Sequence, residues 1–227
     1  MKIEHKIRKI LRLLEKAYGR PAPLRRSEPV DELIRTVLSQ NTSDKNSLRA
    51  FAVLKKRFKP WDGLLAADTG NIARLIKHAG LANIKANRIK AILREIKRRE
   101  SKLSLALLKN LDINESIRYL RSMKGVGPKT AACVLLFSFG KPIMPVDTHI
   151  FRVTKRLGII GKDLDIEETH ILLSKIVPKD LIYGFHLGII EHGRKTCKAQ
   201  KPRCWDCVVY DLCRFKGKKL RKKRGPY

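Results

Sequence analysis

The sequence lacks the features of membrane proteins and of β-rich proteins. No apolar run approaches the ~20 residues that a helix needs to cross a bilayer, and residues 1–4 lead into no secretory hydrophobic region. Few segments alternate apolar and polar residues, whereas long ones show helical spacing, for example 3–18, 113–123 and 166–176. We therefore expect an almost all-α protein that is intracellular, in the cytoplasm or nucleoid of a prokaryote.

Acidic residues are scarce relative to basic ones. The 227 residues include 51 Lys and Arg against 21 Asp and Glu, a net charge of +30. Thermophilic proteins reach a high charge content by mixing Glu with Lys, and this chain does not balance the two. Such an excess indicates a polyanionic partner, and nucleic acid is the leading candidate. Residues 216–227 hold seven of the cations and predict a mobile tail that adds salt-sensitive DNA affinity, with a targeting signal as the alternative.

A short glycine-containing turn joins two predicted helices near the middle of the chain. One helix ends at Gly125-Val126-Gly127, and Pro128-Lys129-Thr130 begins the next. Two glycines let the backbone turn tightly, and proline suits the first position of a helix. The free N–H groups of such a helix start bind anions, here a DNA phosphate, without reading base sequence. An ordinary helix–turn–helix connection is the alternative, because glycine commonly ends helices.

Two residues near this turn could perform chemistry. Lys129 lies in the first helical turn, where the helix dipole and apolar neighbours disfavour an ammonium; a neutral amine can form a Schiff base with a sugar aldehyde. Asp147 begins a later helix and is either its N-cap or a carboxylate that stabilises a cationic sugar or accepts a proton. Both roles can hold for Asp147. The alternative for Lys129 is a surface cation touching phosphate.

Cysteines are few, and four of the five cluster near the end of the chain. A cytosolic enzyme does not normally pair such cysteines as disulfides, so a metal site is favoured. Four thiolates suit tetrahedral zinc or an iron–sulfur cluster, and spacing alone leaves both open. Cys133 lies apart and is predicted to be a small core residue. The four clustered cysteines are Cys197, Cys204, Cys207 and Cys213.

These motifs together resemble the endonuclease III branch of the helix-hairpin-helix DNA glycosylases, over most of the chain. The resemblance rests on G-V-G-x-K-T-A, on V-D-T-H-I-F-R-V, and on H-G-R before C-x₆-C-x₂-C-x₅-C. It implies an all-α, two-lobed fold with a cleft between the lobes. One lobe is a helical barrel over 23–136 that contains the hairpin at about 113–136; the other joins 1–22 to 137–215 and carries a [4Fe–4S] cluster. The hairpin reads Met-Lys-Gly at 123–125, where the family usually has Leu-Pro-Gly.

The resemblance also implies a function. It predicts a monomeric, bifunctional glycosylase/AP lyase of base excision repair that acts on double-stranded DNA with damaged bases or AP sites, and oxidised pyrimidines are the expected substrates. The residue matching Lys129 attacks the sugar C1′, and the residue matching Asp147 assists. A monofunctional thymine or uracil glycosylase is one alternative, although that branch tends to lack the lysine. A non-catalytic iron–sulfur DNA-binding protein is another, and the presence of both residues argues against it.

Further DNA contacts are predicted in the same way. A family loop that penetrates the DNA matches Gln40 or Asn41, and the sequence does not decide between them. The basic loop that the cluster would fix is predicted to bind phosphate. The arginine of H-G-R is expected either to touch phosphate or to be structural near the metal. The predicted contacts are Gln40, Asn41, Gly125, Val126, Gly127, Arg194, Lys198, Lys201 and Arg203.

Overall fold

A computed structural model describes residues 2–218, so most of the predicted tail lies outside the described residues. Within 2–218 the regular structure is helical and includes no strand, which confirms the all-α prediction. No helix in this part is long and apolar enough to cross a membrane. The α-helices are α1 (Ile3–Tyr18), α2 (Pro29–Ser39), α3 (Asp44–Arg57), α4 (Asp62–Ala66), α5 (Thr69–Leu75), α6 (Ala82–Glu100), α7 (Ile113–Arg121), α8 (Pro128–Phe139), α9 (Thr148–Leu157), α10 (Ile166–Ile176) and α11 (Ile182–Lys195).

The chain divides into two compact units. One runs from Arg25 to Lys141, and the other combines the chain up to Leu24 with everything from Pro142 onward. The resemblance predicted lobe boundaries between residues 22 and 23 and between residues 136 and 137. The hairpin therefore belongs to the first unit, and Asp147 and the four clustered cysteines belong to the second.

Helix α8 forms the centre of the first unit. Its residues from Thr130 to Leu136 are all buried, because the sequence T-A-A-C-V-L-L is small or apolar on every face. Helix α2 packs against it and buries Leu33 and Val37 completely. Cys133 is 6% exposed, which confirms its prediction as a core residue. Helix α8 is thus held rigidly where its first turn begins.

Helix α11 holds the second unit together. Helices α1 and α9 both pack on it, and α1 contributes the stripe Ile7, Ile10 and Leu14, each at most 1% exposed. This spacing of three and four residues is the pattern that predicted the helix from the sequence. The unit therefore brings α9, with Asp147 at its start, against the helix that leads into the cysteines.

Candidate functional site

The turn between α7 and α8 is tightly specified. Helix α7 starts with a capping box between Asp112 and Glu115, and after it the Val126 N–H donates to the Met123 carbonyl over 3.0 Å. Gly125 has a φ of 95°, in the left-handed region that glycine adopts without strain. A Cβ there would lie 2.5 Å from Cδ of Arg88, a residue of α6. Glycine is therefore required at 125 by its backbone and by its neighbour.

The start of α8 presents unpaired donors. Gly127 is its N-cap and offers no capping side chain, and Pro128 occupies the first turn. Among residues 2–218, the N–H groups of Gly127, Lys129 and Thr130 have no hydrogen-bond acceptor. Gly127 is exposed and has open space where a Cβ would stand. Val126 is 5% exposed and anchors the turn. This geometry fits an anion such as a phosphate.

Gln40 and Asn41 have different environments. The Gln40 Oε1 accepts from Nη1 of Arg88, and its Nε2 donates to Oγ1 of Thr130 over 3.4 Å. Asn41 is exposed and has a φ of 52°, a conformation that Asn tolerates better than most residues. Gln40 therefore links its loop to the hairpin inside the protein, whereas the Asn41 side chain stands in solvent.

Asp147 is the N-cap of α9. Its Oδ1 accepts from the Ile150 N–H over 2.8 Å, and the carboxylate is half-buried. Its other oxygen has no hydrogen-bond donor among the described residues. Burial lowers the pKa of the nearby His149, so the imidazole stays neutral at neutral pH. Both readings of Asp147 from the sequence survive, because the cap occupies only one of its two oxygens.

The cysteine region is connected to α9 by arginines. Arg152 donates to the carbonyls of Cys197 and Gly193, each over 3.0 Å. Arg156, one turn later, donates to the carbonyls of Lys198 and Ala199 over 2.7 and 2.9 Å. These bonds fix the first part of the loop that the cysteines enclose.

All four clustered cysteines line one small cavity of about 20 Å³. None forms a disulfide, and burial raises the pKa of Cys207 to about 12, so its thiol needs a metal to become a thiolate. Nη1 of Arg156 donates to Cys197 Sγ over 3.4 Å, and Nε2 of His192 lies 3.7 Å from Cys207 Sγ. Within 2–218 no three His, Cys, Asp or Glu side chains are grouped closely enough for a single metal ion.

Comparison with known proteins decides the family. Residues 34–179 match the HhH-GPD superfamily of base excision DNA repair proteins. The chain belongs to that superfamily. Residues 197–213, from the first clustered cysteine to the last, match the iron-sulfur binding domain of endonuclease III.

Individual relatives agree with this assignment. Endonuclease III of Sulfolobus acidocaldarius is 39% identical over 81% of this chain and 80% of its own length. Endonuclease III of Haemophilus influenzae is 35% identical over 92% of this chain and 94% of its own. A trapped covalent intermediate of endonuclease III with DNA has a TM-score of 0.78 and 30% identity, covering 94% of this chain and 97% of that one.

Membership confirms several predictions. The HhH-GPD chain is a DNA glycosylase of base excision repair, with the all-α fold of endonuclease III and a [4Fe–4S] cluster. The residues that would hold the cluster are the four cysteines around the cavity, which supply the thiolate donors that iron–sulfur clusters take. The roles of the individual side chains remain proposals.

The basic residues predicted to bind phosphate near the cysteines differ in their exposure and pairing. Lys198 and Lys201 are exposed, and Lys201 has a φ of 47°. Arg203 is exposed but pairs with Asp206 over 2.7 Å. Arg194 is exposed near the end of α11. Lys198 and Lys201 are therefore the most accessible cations of this loop.

Three residues of the first unit were not predicted from the sequence. Leu81 is 51% exposed and has a φ of 50°. Arg88 packs under Gly125, and Lys85 is buried to 1% exposure. The signal for Lys85 in the sequence is its position on the apolar stripe of α6 with Ile89, Ile92 and Ile96.

Proposed function

We propose that this chain is a bifunctional DNA glycosylase/AP lyase that removes oxidised pyrimidines from double-stranded DNA and cleaves the strand by β-elimination. The observation that carries the proposal is the position of Lys129: a half-buried amine in the first turn of α8, directly after a turn whose N–H groups are free for a phosphate. The grip on a phosphate would hold the backbone beside the amine.

The reaction uses the lone pair of the Lys129 amine beside a sugar. Nζ of Lys129 attacks C1′, the bond from C1′ to the base breaks, and the base leaves with the bonding electron pair and takes up a proton. The amine loses a proton, the C1′–O4′ bond breaks with its electron pair going to O4′, and O4′ takes up a proton, which gives a protonated Schiff base between Lys129 and C1′. Loss of a proton from C2′ then expels the 3′ phosphate, and the strand is cut. Water later releases the lysine.

Asp147 would supply negative charge in this sequence. A half-buried carboxylate stabilises positive charge on the sugar more strongly than an exposed one, because less water screens it. Its free oxygen could accept the proton that the Lys129 amine gives up. The hydrogen bond from Ile150 N–H fixes the orientation of the group, so the cap supports the chemical role.

The remaining contacts would hold and distort the DNA. Asn41 and Leu81 are side chains that stand in solvent on left-handed backbone. An apolar wedge and a small amide of this kind can occupy the space that an everted nucleotide leaves. Lys198 and Lys201 would bind phosphate from the cluster loop. The cluster, when bound, holds four cysteines together and so makes that loop rigid.

The relatives bear on the choice between lyase and monofunctional glycosylase. One structural neighbour is a trapped covalent intermediate of endonuclease III with DNA, and it is 30% identical. A thermostable thymine-DNA glycosylase shares the fold at 23% identity, which carries no functional argument. The amine at position 129 therefore favours the lyase.

The test is borohydride trapping on duplexes that carry thymine glycol, uracil opposite guanine, or an AP site. We expect a trapped complex on thymine glycol with the wild-type chain and none with Lys129→Gln. Lys124→Gln is the matched control, because Lys124 is exposed in the same turn and precedes Gly125; it should trap normally. Asp147→Asn, which keeps the capping group but removes the charge, should slow trapping without loss of stability.

The outcomes separate the candidates. Trapping by Lys129→Gln at the wild-type rate would remove Lys129 from the mechanism. Base release without trapping would establish a monofunctional glycosylase, and trapping on the AP site alone would keep the lyase but reject the oxidised pyrimidine.

A further inference from the structure

Lys85 is a buried lysine that the proposed chemistry does not use. It is 1% exposed, and its Nζ donates to the carbonyls of Leu38 and Ala79 over 2.8 and 2.7 Å. No carboxylate among residues 2–218 forms an ion pair with it, and burial together with the nearby Arg88 lowers its pKa. An apolar side chain would fill this space without the cost of desolvating an amine. What the lysine adds is two directed hydrogen bonds.

The two carbonyls end two different helical segments. Leu38 is in the last turn of α2, and Ala79 ends the short 3₁₀ helix Lys77–Ala79. Carbonyls at helix C-termini have no partner within the helix and lie at the negative end of the helix dipole. A single ammonium or amine group therefore satisfies two helix ends at once and holds them side by side.

The chain leaving each end leads to an exposed residue. Asn41 follows Leu38 by three positions and Leu81 follows Ala79 by two; both are exposed and have left-handed φ values of 52° and 50°. The Lys85 N–H also donates to the Leu81 carbonyl over 2.9 Å. Three bonds from one residue thus fix the bases of both turns.

Arg88 continues the same arrangement along α6. It lies one turn after Lys85, donates to Gln40 Oε1, and packs its stem against Gly125 of the hairpin. The face of α6 that carries Lys85 and Arg88 therefore contacts both exposed turns and the hairpin that leads to Lys129.

We propose that Lys85 is a positioning residue that aligns the turns of Asn41 and Leu81, so that both side chains enter the duplex together when a nucleotide is everted. This inference rests on the proposed function. It assigns Lys85 no contact with DNA. Misalignment of either turn should slow the step that everts a paired, stacked base more than the cleavage of an AP site, where no base has to be unstacked.

The test replaces Lys85 with Met, which keeps an unbranched apolar stem and removes the donors. Lys90→Met is the matched control: Lys90 is on the same helix, is 6% exposed, and donates to the Ala67 carbonyl, which belongs to neither turn. Single-turnover excision of thymine glycol, cleavage of a preformed AP site, and base eversion reported by 2-aminopurine fluorescence would be measured for each variant.

We expect Lys85→Met to lower excision and eversion by about 10- to 100-fold, as small misplacements do, with little change in AP-site cleavage. Lys90→Met should resemble the wild type. Normal excision by Lys85→Met, or equal losses in both variants, would overturn the inference. If the wild type excises no damaged base, the proposed function fails instead, and the two failures are thereby distinguished.

A double-mutant cycle covers the case in which Lys85→Met does not fold. Asn41→Gly and Leu81→Gly remove each side chain and keep a residue suited to the left-handed backbone. If the two side chains act together, the double variant should lose less eversion than the product of the single losses. Independent, multiplicative effects would contradict the alignment that Lys85 is proposed to provide.

Discussion

The two glycines of the hairpin should respond in opposite ways to the same added methyl group. Gly125 has a φ of 95°, and a Cβ there would lie 2.5 Å from Cδ and 2.6 Å from Cγ of Arg88. Those atoms are the middle of a side chain whose end is bonded to Gln40, so it cannot simply swing away. Gly127 has a φ of −88°, which any residue adopts, and no atom within 4 Å of its Cβ position.

The magnitudes follow from these geometries. For Gly125→Ala, left-handed backbone costs about 1–2 kcal/mol and the overlap with Arg88 about 1–3 kcal/mol. Reduced freedom of the unfolded chain offsets about 0.4–1 kcal/mol. The net loss is roughly 1–5 kcal/mol, which at about 2–4 °C per kcal/mol lowers the melting temperature by roughly 2–20 °C. For Gly127→Ala the same unfolded-state gain opposes a poorer N-cap, and the stability change should stay within about 1 kcal/mol.

DNA affinity should fall for Gly127→Ala, the variant whose stability should hardly change. The methyl of Gly127→Ala would occupy the open space in front of the free N–H groups and displace a phosphate. Loss of one hydrogen bond to a charged group is worth about 1.5 kcal/mol or more, so affinity should fall about tenfold. Thermal unfolding and fluorescence anisotropy on a duplex with an AP site would measure both quantities. A Gly125→Ala variant as stable as the wild type, or a Gly127→Ala variant that binds normally, would refute the reasoning.

Two further predictions concern the loop after α2 and the cluster. Asn41→Gly should slow excision without changing the melting temperature, whereas Gln40→Ala should lower the melting temperature because it breaks the bonds to Arg88 and Thr130; the opposite pattern would make Gln40 the inserted residue. His192→Leu should lower the reduction potential of the cluster and speed its loss, because an N–H that donates to the Cys207 sulfur favours the more reduced state. His192→Gln keeps an N–H near the Cys207 sulfur and should retain the wild-type values. Voltammetry and the decay of visible absorbance would measure these changes, and identical values in the two variants would show that the contact has no effect.

Local signals explain what the sequence could predict. The apolar stripe over 3–18 and the run over 166–176 matched α1 and α10 as the structure has them, because their periodicity is carried by neighbouring residues alone. The hairpin was predictable for the same reason. Gly125 and Pro128 each restrict the backbone where they stand, and no distant part of the chain has to be known.

The contacts of Lys85 and Arg88 show what periodicity could not reveal. Periodicity places Lys85 on the apolar stripe of the segment from 84 to 96, but it does not say what the amine would bind. Its partners are carbonyls that α2 and the 3₁₀ helix Lys77–Ala79 bring to it from 47 and 6 positions away. The exposure of Leu81 was not predicted, because it follows from a left-handed backbone at the start of α6. A leucine in the sequence does not indicate such a backbone.

Asp147 differs from the other aspartates that cap helices in the burial of its side chain. Capping alone does not distinguish it, since Asp68, Asp112 and Asp165 cap α5, α7 and α10 in the same way. Those three are exposed, whereas Asp147 is half-buried. A cap needs only one oxygen, and a solvated aspartate provides it at no cost of desolvation. Asp147 lies beside His149 and Arg152 and is partly removed from water. Capping does not require this desolvation. A carboxylate stabilises a cationic sugar better under this condition, because less water screens its charge.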